Sequence, residues 1–133
     1  MSSVTEKQPP SQRGGRSCTI LVVQDILSRV TAHQDRAKDV CLDLAARDAM
    51  GFKKHKQNLE TFDKRDTGMD AYQELLDAAQ YLRKLIEERF DLGLPMNPGL
   101  EQCYTNVIDS LFHMREYLDK NGDIRTHYME EKP

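Results

Sequence analysis

The run Tyr72-Gln73-Glu74-Leu75-Leu76-Asp77-Ala78-Ala79-Gln80-Tyr81-Leu82-Arg83-Lys84-Leu85-Ile86-Glu87-Glu88-Arg89-Phe90 reads as an amphipathic helix and sets the class of the whole chain. Tyr72, Leu75, Leu76, Ala79, Leu82, Ile86 and Phe90 recur at the spacing that lines one side of a helix with apolar groups. Asp66 or Thr67 supplies an N-cap, and Asp70 places negative charge in the first turn, where the helix dipole favours it. The segment Asp91-Leu92-Gly93-Leu94-Pro95-Met96-Asn97-Pro98 ends the helix with a glycine and two prolines and reads as a turn.

Downstream, Tyr104, Val107, Ile108, Leu111, Met114 and Leu118 mark a second helix that stops at Lys120-Asn121-Gly122. Upstream, Ile20, Val23, Leu27, Val30, Ala37, Cys41 and Leu44 form a helical stripe from Thr19 to about Asp48, either one long helix or two with a joint near His33. The Ile20-Leu21-Val22-Val23 run favours a strand in isolation but has no second strand to pair with. Met50 and Gly51 end the periodicity, and Phe52 to Thr67 reads as a basic loop with at most a helical turn. The expected fold is therefore all-α: a bundle of three main helices, the first long or broken, forming a single domain over residues 18–120. Disordered tails cover residues 1–17 and 121–133, where polar, Pro-rich and Gly-rich composition cannot offset the entropy of ordering.

Composition agrees with one modest domain: 133 residues, 38% hydrophobic and 31% charged, with no Trp. A net charge of −3 supplies no positive field for phosphate backbones, so nucleic acid is disfavoured as a partner. Three widely spaced cysteines, Cys18, Cys41 and Cys103, fit a reduced, cytoplasmic setting. The apolar run Cys18 to Val23 is too short for a signal peptide or a membrane span, so no membrane partner is expected. His33, His55, His113 and His127 lack metal-ligand spacing.

Few constellations carry chemistry. Glu74 and Asp77 stand three residues apart on the central helix, so both carboxylates share a face and offer hard oxygen ligands to Mg²⁺; a solvated helical flank is the plain alternative. Lys53, Lys54, His55 and Lys56, followed by Lys64-Arg65, could clamp a phosphate or an acidic patch on a partner protein. Arg83 joins them as a candidate for phosphate or partner binding. Tyr72, Leu76, Asp77, Leu82 and Arg83 correspond, 32 residues on, to Tyr104, Ile108, Asp109, Met114 and Arg115; any two amphipathic helices share apolar positions by construction, so chance similarity is the favoured reading and a duplicated hairpin the alternative.

The stretches Ala46-Arg47-Asp48-Ala49-Met50-Gly51, Lys54-His55-Lys56-Gln57-Asn58-Leu59 and Asp70 to Arg83 resemble a family of small all-α bacteriophage and prophage proteins. The Asp70 to Arg83 helix is also similar to the second motif helix of the all-α NTP pyrophosphohydrolases of the MazG and dimeric dUTPase type. That resemblance implies Mg²⁺-dependent cleavage of nucleoside triphosphates with Glu74 and Asp77 as metal ligands. Those enzymes use a second acidic helix facing the first. Here Glu87-Glu88-Arg89-Phe90-Asp91 lies on the same helix as Glu74, and the nearest substitute is Asp35, Asp39 and Asp43, with Asp39 and Asp43 as candidate further ligands.

Three readings follow. The first is a phage-type accessory protein of the host cytoplasm that binds without catalysis, sequestering a nucleotide or occupying a host protein in anti-defence or host takeover, with no cofactor. The second is a Mg²⁺-dependent pyrophosphohydrolase. The third is an oligomeric interaction module. A homo-oligomer is expected in all three, because a lean core of this size gains stability from self-association.

Overall fold

The computed structural model describes Val4 and residues 15–28, 34–56 and 59–129. Its elements run α1 (Cys18–Ser28), α2 (Gln34–His55), α3 (Thr67–Asp91) and α4 (Pro98–Asn121), followed by a 3-10 turn at Ile124–His127. Among the described residues the extended contacts reduce to an isolated antiparallel bridge between Ser17 and Glu60. The fold is all-α, and the first predicted stretch holds α1 and α2. The joint near His33 lies outside the described residues, as does most of the N-terminal tail. The helices fall into two compact units, α1 with α2 and α3 with α4 and the 3-10 turn.

In the first unit, α1 packs on α2 and the returning chain clasps the start of α1. Cys18 N donates to Leu59 O at 2.9 Å, Thr61 N to Arg16 O at 2.9 Å, and Arg16 N to Thr61 Oγ1 at 2.9 Å. Gly15 permits this approach, since a Cβ there would collide with Thr61 Oγ1. The clasp decides which side of α1 turns inward: Leu21, Val23 and Ile26 are half-buried, whereas Ile20 and Leu27, expected on the inner stripe, are exposed. A short helix that is apolar nearly all round has no periodicity strong enough to choose its own face. Helix α2 corrects a second expectation, since it runs through Met50 and Gly51 to His55. One interior glycine costs only about 1 kcal/mol, and Lys53, Lys54 and His55 fill the last turn, where the dipole favours cations.

In the second unit, local chemistry fixes both helices. Asp66 caps α3, its Oδ1 accepting from Met69 N at 3.3 Å, and Asn97 caps α4, its Oδ1 accepting from Leu100 N at 3.0 Å ahead of Pro98 in the first turn. Gly93, at φ 72°, closes α3 in a Schellman motif: Leu94 N donates to Arg89 O and Gly93 N to Phe90 O, both at 3.0 Å. The six residues between the helices turn the chain back, and α3 and α4 pack antiparallel. Gly68 lets the start of α3 approach the end of α4, where a Cβ would lie 3.0 Å from Leu118 Cδ2.

The expected C-terminal tail begins with ordered structure. Asp123 caps the 3-10 turn and holds Arg125, while Ile124 and Tyr128 are half-buried. Among the described residues the buried apolar side chains are Met69 and Leu118, and the helical stripes are otherwise half-covered. No helix among them is long and apolar enough to cross a membrane.

Candidate functional site

Glu74 and Asp77 lie exposed on α3, one turn before Tyr81, which is 72% exposed. Asp39 and Asp43 lie exposed on α2, in the other unit. Among the described residues no three of His, Cys, Asp and Glu come together in a group able to hold a metal ion. The side chains described therefore do not fit the four-carboxylate Mg²⁺ cage of the pyrophosphohydrolases.

Lys53, Lys54 and His55 form the last turn of α2, and Lys56 follows in a left-handed conformation at φ 62°. All four are exposed. Met50, 61% exposed, sits among them. Arg47 precedes it by three residues, and Lys53 and Lys54 follow by three and four, the separations that make neighbours on a helix surface. The result is an apolar knob ringed by cations. Arg83, expected beside these lysines as a binding group, stands in the other unit, where it is ion-paired with Glu87 and lies over the Tyr104 ring.

The α3–α4 hairpin shows how far the internal correspondence reaches. Arg83 pairs with Glu87 and Arg115 with Asp119; Lys84 pairs with Glu88 and Glu116 with Lys120. Each second pair is the first displaced by 32 residues, with the charge order reversed in the latter case. These ion pairs are exposed and contribute little individually.

The turn between α3 and α4 holds a feature that sequence reasoning missed. Phe90 is 77% exposed, Leu92 75%, Leu94 47% and Met96 79%. Phe90, Leu94 and Met96, with Ile86, Pro95 and Leu100, line a cavity of about 90 Å³ whose polar lining is Arg89, Asn97 and Glu101. Arg89 Nη2 donates to Pro95 O at 2.9 Å and fixes the turn. The signal was in the sequence: three large apolar residues, Leu92, Leu94 and Met96, within a Gly- and Pro-punctuated turn, where polar residues are the norm.

Comparison of the chain with protein-family models, with curated proteins and with solved structures finds no match.

Proposed function

We propose that this protein acts by binding rather than by turnover, engaging an acidic partner through the basic end of α2. The observation that carries this reading is Met50, exposed on the helix surface and ringed by Arg47, Lys53 and Lys54. Cations around an apolar side chain suit a protein surface, where the apolar contact supplies affinity and the charges supply steering and specificity. The similarity of residues 44–90 to phage and prophage proteins supports a host protein as target, and an accessory role in host takeover or anti-defence. Catalysis by a Mg²⁺-dependent pyrophosphohydrolase is the less favoured reading, because among the described residues Glu74 and Asp77 join no group of three side chains able to hold a metal ion.

The test is calorimetric titration of the full chain with nucleoside triphosphates, with and without Mg²⁺, and with a poly-glutamate peptide, following pyrophosphate in the same samples. Expected are salt-sensitive binding of the acidic peptide, its loss in Lys53→Glu/Lys54→Glu, and no pyrophosphate. Pyrophosphate that appears only with Mg²⁺ and vanishes in Glu74→Gln overturns the reading in favour of the enzyme.

A further inference from the structure

The stretch that clasps the start of α1 is strained. Phe62 and Lys64 are not glycines, yet both hold left-handed backbone, at φ 58° and 67°. Phe62 is 62% exposed, so burial of its ring does little to offset that conformation. Between the two, Asp63 is buried and its Oδ1 accepts from Arg65 N at 3.2 Å, which fixes the loop in this shape. Strain of this kind persists only where surrounding contacts impose it, and it concentrates in segments that change state.

The helix that the loop holds is itself weakly anchored. Helix α1 has 11 residues and none of them is buried, and a helix below about 12–15 residues is marginal on its own in water. Leu21, Val23 and Ile26 are half-buried, whereas Ile20, Val22 and Leu27 stand exposed. Its start is tied down by backbone groups: Cys18 N on Leu59 O, Thr61 N on Arg16 O and Arg16 N on Thr61 Oγ1, each at 2.9 Å.

We infer that residues 59–65 are a latch under strain: closed, it holds α1 against α2; released, it lets α1 leave as a unit and uncovers Leu21, Val23 and Ile26 while the α3–α4 hairpin stays folded.

The balance of terms favours such an opening. Each hydrogen bond of the clasp is worth little net, because water takes its place when the clasp parts. The same parting relaxes Phe62 and Lys64 to ordinary backbone, so part of the loss is returned. The hairpin has no such weakness at its open end, where Met69 and Leu118 are fully buried and Asp66 caps α3. Regions with few buried apolar contacts open locally, ahead of the rest of the molecule. The latch does not depend on what the basic end of α2 engages, so it goes beyond the binding role and stands or falls apart from it.

The test is hydrogen exchange of the full chain, read amide by amide by NMR. The amides of α1, together with those of Cys18 and Thr61, should share one protection factor, about tenfold or more below that of the interior amides of α3 and α4. Glycine against alanine at position 64 is the decisive comparison. At ordinary backbone alanine protects better, because glycine has more freedom to lose; at left-handed backbone the order reverses. Lys64→Gly should therefore raise α1 protection about threefold or more above Lys64→Ala, and Phe62→Gly should do the same relative to Phe62→Ala, with α3 and α4 unchanged. Gly15→Ala, whose added Cβ would collide with Thr61 Oγ1, should lower α1 protection about tenfold. Alanine protecting as well as glycine at both positions overturns the inference, as does an α1 as well protected as α3, or a Gly15→Ala chain whose α1 exchanges like wild type.

Discussion

The guanidinium of Arg83 lies over the ring of Tyr104, 6.0 Å from its centroid, at the middle of the α3–α4 hairpin. Arg115 stands in the same relation to Tyr72, also at 6.0 Å. The two pairs exchange under the 32-residue displacement that relates the helices: the tyrosine of each helix meets the arginine of the other. Antiparallel packing in this register brings the two ends of the repeat into equivalent surroundings. A local two-fold relation is thus written into the sequence as repeated Tyr and Arg positions.

Equivalent surroundings imply equivalent energies. Both arginines are about half exposed, and 6.0 Å is the outer limit of an effective cation–π contact, so each pair should contribute near the low end of the usual range, about 0.5 kcal/mol. Double-mutant cycles on Arg83→Gln with Tyr104→Leu, and on Arg115→Gln with Tyr72→Leu, should both give a small favourable coupling of the same sign. A clear coupling in one pair and none in the other would remove the energetic content of the repeat.

The hairpin is anchored at its open end, where Met69 and Leu118 are 1% and 0% exposed. Leu118→Ala should cost about 2–5 kcal/mol, because the deleted methyl groups leave a cavity beside Gly68 that two packed helices cannot close. Asp66→Ala should cost about 0.5–2 kcal/mol through the lost cap, with Asp66→Asn retaining most of it. Phe112→Ala, at a position 73% exposed, should change stability by less than about 0.5 kcal/mol. Urea unfolding of the four variants orders them, and a Phe112→Ala loss comparable to that of Leu118→Ala would mean that another surface covers Phe112.

These anchors show what a sequence can disclose. Asp66, Gly93, Asn97, Pro98 and Gly122 act through local hydrogen bonds and backbone angles, so both ends of α3 and α4 were readable from residue type alone. The end of α2 was not. Gly51 reads as a stop, yet a single glycine is outweighed by a favourable last turn of cations, a balance of about 1 kcal/mol on each side. The inner face of α1 depends on the clasp to residues 59–61, contacts more than forty residues apart that no local pattern encodes. For the candidate site, the acidic pair and the basic stretch stood out as spaced motifs, whereas the apolar tip, present as residue types, joined no pattern because Leu92, Leu94 and Met96 interrupt a turn rather than extend a helical stripe.

Acid should loosen the C-terminal turn. Asp123 is held below the ordinary carboxyl value of 3.8, chiefly by hydrogen bonds from the Arg125 side chain and further by the Arg125 backbone N–H, against the opposing effect of burial. A depressed folded value means that the unfolded chain takes up the proton first, so the stabilisation is complete above about pH 4 and is lost as the pH falls through the folded value. The melting temperature of wild type should therefore fall more steeply below pH 4 than that of Asp123→Asn, and the two curves should run parallel above about pH 5. Parallel curves across the acid range would show that the pair Arg125 Nη2–Asp123 Oδ2, at 2.6 Å, contributes nothing in solution.

Thiol chemistry tests the first unit in the same way. Burial pushes the Cys18 thiol above its ordinary value, Asp63 and Glu60 push it further by disfavouring a thiolate, and Arg16 opposes them only in part. Cys103 is exposed on α4 and Cys41 is half-buried on α2. Because the thiolate is the attacking species, alkylation near pH 8 should modify Cys103 first and Cys18 last. Asp63→Asn should accelerate Cys18 without altering Cys103, since it removes a negative charge near the first thiol only. Peptide mass spectrometry of a timed iodoacetamide reaction reads both rates from one sample. Equal rates at Cys18 and Cys103 in the folded protein would mean that the clasp of Cys18 N on Leu59 O opens faster than the reagent attacks, and that the start of α1 is not held as described.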